Sequence, residues 1–130
     1  MGSWSIDTVS EPGVVRIRLV GVLTEREAAE YVTAHNRAID SMGTGDYKVW
    51  VDMTELEPLT QAAGLIVEQA KRYSQAHPNF RGSSVLVSRA TVGLQQRITS
   101  IRSGVLSTEM ISDDPEALRE HLRTVYRRSE

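Results

Sequence analysis

Residues 47–56 read YKVWVDMTEL, 57–60 read EPLT, and 61–77 read QAAGLIVEQAKRYSQAH. Val49, Trp50 and Val51 are consecutive and apolar, so both faces of the segment need cover. That predicts a central strand over 47–53, ending at about Asp52 and flanked by helices. Pro58 breaks the chain and Thr60 suits an N-cap. A helix over 60–77 then places Ala62, Ile66, Ala70 and Tyr73 on one stripe, until His77-Pro78 stops it. In an open α/β sheet, partners and ligands meet the carboxyl ends of strands, where helix N-termini point outward. The residues offered there are Leu59, Thr60, Gln61, Ala62 and Ala63, a surface for contact with little equipment for chemistry.

Outward from this unit, β and α signals alternate. Residues 4–10 and 14–20 flank the turn signal Glu11-Pro12-Gly13, and Val15, Ile17 and Leu19 alternate with Arg16 and Arg18. This predicts an antiparallel hairpin with one buried face. Thr24 and Glu27 form a capping box, followed by Ala28, Val32, Ile39 and Met42 at helical spacing. After the 60–77 helix, Ser84 to Val87 read as a strand. A helix from about Thr91 to Ser103-Gly104 carries Leu94, Ile98 and Ile101 on one face, the face expected to be buried. Residues 106–111 read as a short strand. Asp114-Pro115-Glu116 opens a last helix, with Leu118, Leu122 and Val125 as its buried stripe. The order β-β-α-β-α-β-α-β-α predicts a mixed α/β sheet of about five strands with four helices, in a single domain over 1–130.

Composition narrows the functions. The chain has 130 residues, no cysteine and a formal charge of −2. Disulfides and thiolate metal sites are excluded, and the charge is too small for a typical nucleic-acid binder. No apolar run reaches the roughly 20 residues of a membrane span, and MGSWSID lacks the regions of a signal peptide. A cytoplasmic location is the expectation.

The chain resembles a STAS domain, the SpoIIAA-like family of bacterial anti-sigma-factor antagonists and sulfate-transporter tails. The resemblance rests on element order, on Gly21-Val22-Leu23-Thr24 before the first helix, and on DMTELEPLTQAAG from Asp52 to Gly64. Family members read Asp-Ser-Ser-Gly at the helix start, the second serine being the phosphorylated switch. Here an alanine, Ala62 or Ala63, stands where that hydroxyl would be. The resemblance therefore implies a non-enzymatic protein-interaction module without the usual phosphoserine. Its partner would be a regulatory kinase, an anti-sigma factor or a scaffold component, and no cofactor is implied.

Individual residues fit this reading to different degrees. Asp52 suggests a receiver domain, yet neither an acidic pair after the first strand nor a lysine near 106–114 is present, so a loop-fixing acceptor is preferred. Thr60 is a possible phosphorylation site, but capping requires no partner enzyme and is preferred. His35, His77 and His121 lie on three helices with no second ligand at helical spacing, which supports no metal site. Arg97 and Arg102 on the 91–103 helix, and Arg119, Arg123, Arg127 and Arg128 along the last one, read as solvated surface. Arg89 lies beside the proposed contact surface and is grouped with it. Leu59, Ala62 and Leu65 form an interaction patch if uncovered, or pack on the next helix if not. Two alternatives remain: a small apolar ligand or lipid held near Trp50, Ile66 or Tyr73, and a homo-oligomer joined through Trp50 or the hairpin edge.

Overall fold

The computed structural model describes residues 2–127, with side chains to residue 125. β1 (Ser3–Asp7) and β2 (Val14–Gly21) form the expected hairpin, with Ile6 opposite Ile17. α1 (Glu25–Ser41) begins at the capping box: Glu27 N donates to Thr24 Oγ1 at 3.1 Å, and Thr24 N donates to Glu27 Oε1 at 3.0 Å. Then follow β3 (Tyr47–Leu56), α2 (Gln61–Gln75), β4 (Phe80–Leu86) and α3 (Ala90–Ser103). A 3-10 turn (Leu106–Thr108), β5 (Glu109–Ser112) and α4 (Pro115–Arg127) complete the described chain.

The five strands lie in the order β1-β2-β3-β4-β5, parallel except for β1. Right-handed crossovers between successive neighbours must all fall on one side of the sheet. Accordingly α1, α2 and α3 cover one face, packing Ala28, Val67 and Val92 against Val15, Ile17, Val49 and Val51. α4 alone covers part of the opposite face, where Leu118 and Leu122 meet Val14 and Trp50. Lys48 Nζ and Ser84 Oγ stitch that helix down by donating to the Leu122 and Leu118 carbonyls at 2.7 and 2.9 Å. Because the strand order never reverses, the carboxyl ends of the strands carry no switch-point crevice of the kind that holds ligands in doubly wound folds.

Several expectations need correction. β1 covers Ser3–Asp7 rather than 4–10. β3 does not end near Asp52 but runs to Leu56, because its pairing with β2 resumes after a register shift at Arg18/Val20 and continues to Gly21 opposite Leu56. β4 starts at Phe80 rather than Ser84, and the last strand is only 109–112, its expected first half being a 3-10 turn. The inward stripe of α2 is Ala63, Val67, Ala70 and Ser74, with Ala62, Ile66 and Tyr73 only half-buried at its edge. The last concerns α3. Leu94, Ile98 and Ile101 face solvent, while Val92, Gly93, Gln96, Thr99, Ser100 and Ser103 face inward. The end of α3 is as expected, with Gly104 at φ 80° closing it in the left-handed conformation. The stripe Leu118, Leu122 and Val125 is buried as expected.

Candidate interaction surface

The start of α2 is rigidly set. Thr60 Oγ1 accepts from Ala63 N at 3.1 Å, the N-cap bond expected of it. The Gln95 amide of α3 clasps the preceding residue twice: Leu59 N donates to Oε1 at 2.9 Å, and Nε2 donates to Leu59 O at 2.8 Å. Arg89 forms an ion pair with Glu57, bracing the same loop from the other end of α3. Of the residues singled out at this helix start, Leu59 and Ala63 are buried, Ala62 is half-buried, and Thr60, Gln61 and Arg89 are exposed. Leu65, one turn further, is 44 % exposed.

Beside this helix start, α3 turns its apolar side outward. Leu94 is 59 %, Ile98 45 % and Ile101 63 % exposed, whereas Gln96 and Ser100 are fully buried. The inversion has a local cause. Lys71 of α2 and Glu109 of β5 form an ion pair at 3.2 Å in the interior, and the pair needs polar neighbours. α3 supplies them: Lys71 Nζ donates to Gln96 O at 3.1 Å and lies 2.7 Å from Ser100 Oγ, which itself bonds Glu109. Ser83 Oγ of β4 adds a bond to Glu109 Oε2 at 3.0 Å. Burial pushes the Lys71 ammonium below its ordinary pKa, and the Glu109 charge opposes that shift. With a polar, small-residue face committed inward, the three large aliphatic side chains have only solvent to face.

Between α2 and α3 runs a groove of about 270 Å³, with Gln61, Gly64 and Leu65 on one wall and Gln95, Ile98 and Arg102 on the other. A Cβ placed on Gly64 would meet nothing within 4 Å, so bare helix backbone lies open on the groove wall. Glu68 is buried near the groove, held by Arg72 at 2.7 Å and Arg102 at 3.2 Å. Its carboxylate is therefore neutralised from two sides.

The interior beneath these helices leaves little room. A cavity of about 40 Å³ is lined by His35, Lys71, Ser74, Gln96 and Glu109 among apolar neighbours. The Gln96 side-chain amide has no hydrogen-bond partner among the described residues, and the volume suits a bridging water rather than an apolar ligand. Trp50 lies on the opposite sheet face, beneath α4, and neither it nor Ile66 or Tyr73 lines this cavity. Trp50 is 7 % exposed, its ring covered by Arg16 at 5.4 Å, and it lines a polar cleft of about 520 Å³ between the sheet and α4 with Lys48, Leu122 and Arg119.

The other titratable candidates are tied down separately. Asp52 Oδ1 accepts from Thr54 N at 2.9 Å and from Thr54 Oγ1 at 2.7 Å, a local fixing role two residues on rather than at Glu55. Arg18 joins Asp52 at 3.9 Å and Glu55 at 2.6 Å. His35 is buried, bonded to Asn36 Oδ1 at 2.9 Å and Ser74 Oγ at 3.3 Å, and burial lowers its pKa. His77 bonds Tyr73 O and His121 bonds Thr108 O. Among the described residues no three His, Asp or Glu side chains converge as metal ligands would. Arg119 pairs with Glu116 and Arg123 with Glu120 on the solvated side of α4, while the Arg127 side chain and Arg128 lie outside the described residues. No helix among the described residues is long and apolar enough to cross a membrane.

The architecture matches a solved structure. An uncharacterized protein of the DUF3478 family from Shewanella loihica PV-4, described as having a SpoIIAA-like fold, superposes with a TM-score of 0.62. The match covers 92 % of this chain and 91 % of that one, at 14 % identity. The chain has a SpoIIAA-like fold. No protein-family model and no curated protein matches it by sequence. The mixed five-stranded sheet with four helices expected from element order is thus the fold observed.

The sequence reading found the helix start but missed Leu94, Ile98 and Ile101 as surface, and missed Lys71 and Glu109 altogether. The lysine and glutamate lie 38 positions apart with no motif linking them.

Proposed function

We propose that this chain is a non-enzymatic protein-interaction module of the STAS type, docking its partner on the face built by the start of α2 and the outer side of α3. The observation that carries this reading is the inverted α3, which holds Leu94, Ile98 and Ile101 in water beside Leu65. Large aliphatic side chains clustered on one exposed face mark interaction sites. Gln61 and Thr60 border the same face, and Arg89 braces the loop beneath it. An enzyme is disfavoured because the carboxylates near the strand ends, Asp52 and Glu55, are both engaged by Arg18. Alanines at 62 and 63 leave no hydroxyl there to phosphorylate, and Thr60 spends its oxygen as the helix cap. Binding is then constitutive at this position rather than switched by a phosphoserine. A role in bacterial signalling, with an anti-sigma factor, a kinase or a scaffold component as partner, belongs to the same proposal.

The test is affinity capture from the native host with the wild-type chain, Gln61→Arg and Ile98→Glu. Both positions are exposed, so folding should survive, and circular dichroism checks that. A discrete protein captured by the wild type and lost from both variants supports the reading. Equal capture by all three chains overturns it.

A further inference from the structure

We infer that the occupant of this face is an amphipathic helix whose apolar stripe is flanked by acidic side chains, a partner chemistry that rests on the docking reading above. Three observations point to it. The first is spacing. Leu94, Ile98 and Ile101 stand at i, i+4 and i+7 on α3, two helical turns or about 10 Å of aliphatic ridge, the length over which a second helix interdigitates. The second is the bare backbone of Gly64. A glycine inside a helix is less stable than alanine there, yet nothing within 4 Å would obstruct a Cβ at this position. What the missing Cβ does provide is close approach for a helix lying in the groove between Leu65 and Ile98.

The third observation is charge. The chain carries a formal charge of −2, but α3 holds Arg97 and Arg102 and no acid. At 100° per residue these arginines fall on opposite sides of the Leu94-Ile98-Ile101 stripe. Arg97 has no ion-pair partner among the described residues, and Arg102 shares the buried Glu68 with Arg72. A cationic border on both sides of an apolar ridge complements a helix with glutamates or aspartates flanking its own stripe. An anionic membrane shares the charge preference, but a surface of lipid headgroups would make no use of bare backbone on a groove wall.

The experiment titrates the full ¹⁵N-labelled chain with two designed helical peptides. They share one leucine stripe at i, i+3, i+4 and i+7 and differ only in flanks, glutamate in one and lysine in the other. The expected result is that the acidic peptide shifts amides of 60–68 and 94–102 and binds about tenfold more tightly at low salt. That preference should shrink at high salt and fall to about threefold in Arg97→Gln, as screening and loss of a charge pair require. Equal affinity for both peptides at those amides overturns the acidic partner but leaves the docking face standing. No shift at those amides with either peptide overturns both. Co-sedimentation with vesicles of 3:1 phosphatidylcholine and phosphatidylglycerol, lost in Ile98→Glu, with neither peptide bound, assigns the face to a membrane and overturns the helical partner.

Discussion

Replacing Lys71 by methionine should destabilise the fold far more than its place in a polar helix suggests. The lysine side chain is 11 % exposed and that of Glu109 3 %, and the two meet at 3.2 Å. Without the ammonium, the Glu109 carboxylate would stay buried with only the hydroxyls of Ser83 and Ser100 to stabilise its charge. Breaking a buried ion pair by removing one partner costs about 3–5 kcal/mol. That is a large share of the roughly 5–15 kcal/mol that holds a domain of this size together. Adding Glu109→Gln removes the stranded charge while keeping an acceptor for the serines, so the double variant should regain at least about half of the loss. Urea unfolding followed by circular dichroism at pH 7, with unchanged slopes, measures both values. A single-variant cost below about 1 kcal/mol would refute the reasoning, as would a double variant costing the sum of the two singles. Either result would also remove the reason given for the inverted α3, since that helix turns its polar side inward to serve this pair.

Four further outcomes follow from particular contacts. Thr60→Ala should cost about 1 kcal/mol by removing the cap on Ala63 N, and Thr60→Ser should restore most of it in the same urea assay. Gly82→Ala should cost on the order of 3 kcal/mol: φ is 143°, and a Cβ would lie 2.6 Å from both Thr108 O and Val125 Cγ1. Gly64→Ala should instead stabilise the free chain by about 0.5–1 kcal/mol, since its Cβ meets nothing and alanine suits a helix interior better. His35, whose pKa is lowered from 6.5 by burial, stays neutral in the folded chain where the unfolded chain already binds a proton. Stability must therefore fall as pH drops below about 6.5, by at most about 1.4 kcal/mol per pH unit from this residue, down to its folded pKa. His35→Gln should lack that component when wild type and variant are unfolded at pH 7, 6 and 5.

What the sequence disclosed was local. The hairpin formed around Pro12-Gly13, with a first strand that stops at Asp7. The capping box at Thr24-Glu27 and the Asp114-Pro115 helix start each lie within a few residues, obey short-range rules and formed as read. Thr60 as a cap belongs with them. The orientation of α3 was not legible, because a periodic apolar stripe says which residues share a face and not which face turns inward. The deciding groups were Lys71, Ser83, Ser100 and Glu109, brought together only by the packing of two helices and two strands. Asp52 misled for a similar reason. A polar residue looked like the end of a strand, but the register shift in β2 carries the pairing four residues further. The candidate site was thus half visible, at the α2 start through Thr60 and Gln61, while its apolar half on α3 needed the tertiary structure.

The most direct measurement is photo-crosslinking in the host, with a photoreactive amino acid placed singly at position 98 on α3 and at Arg37 on the exposed side of α1. If the α2–α3 face is the docking surface, position 98 yields a discrete crosslinked protein that position 37 does not. Crosslinks from position 37 with none from position 98 would contradict it and move the working surface to another side of the fold.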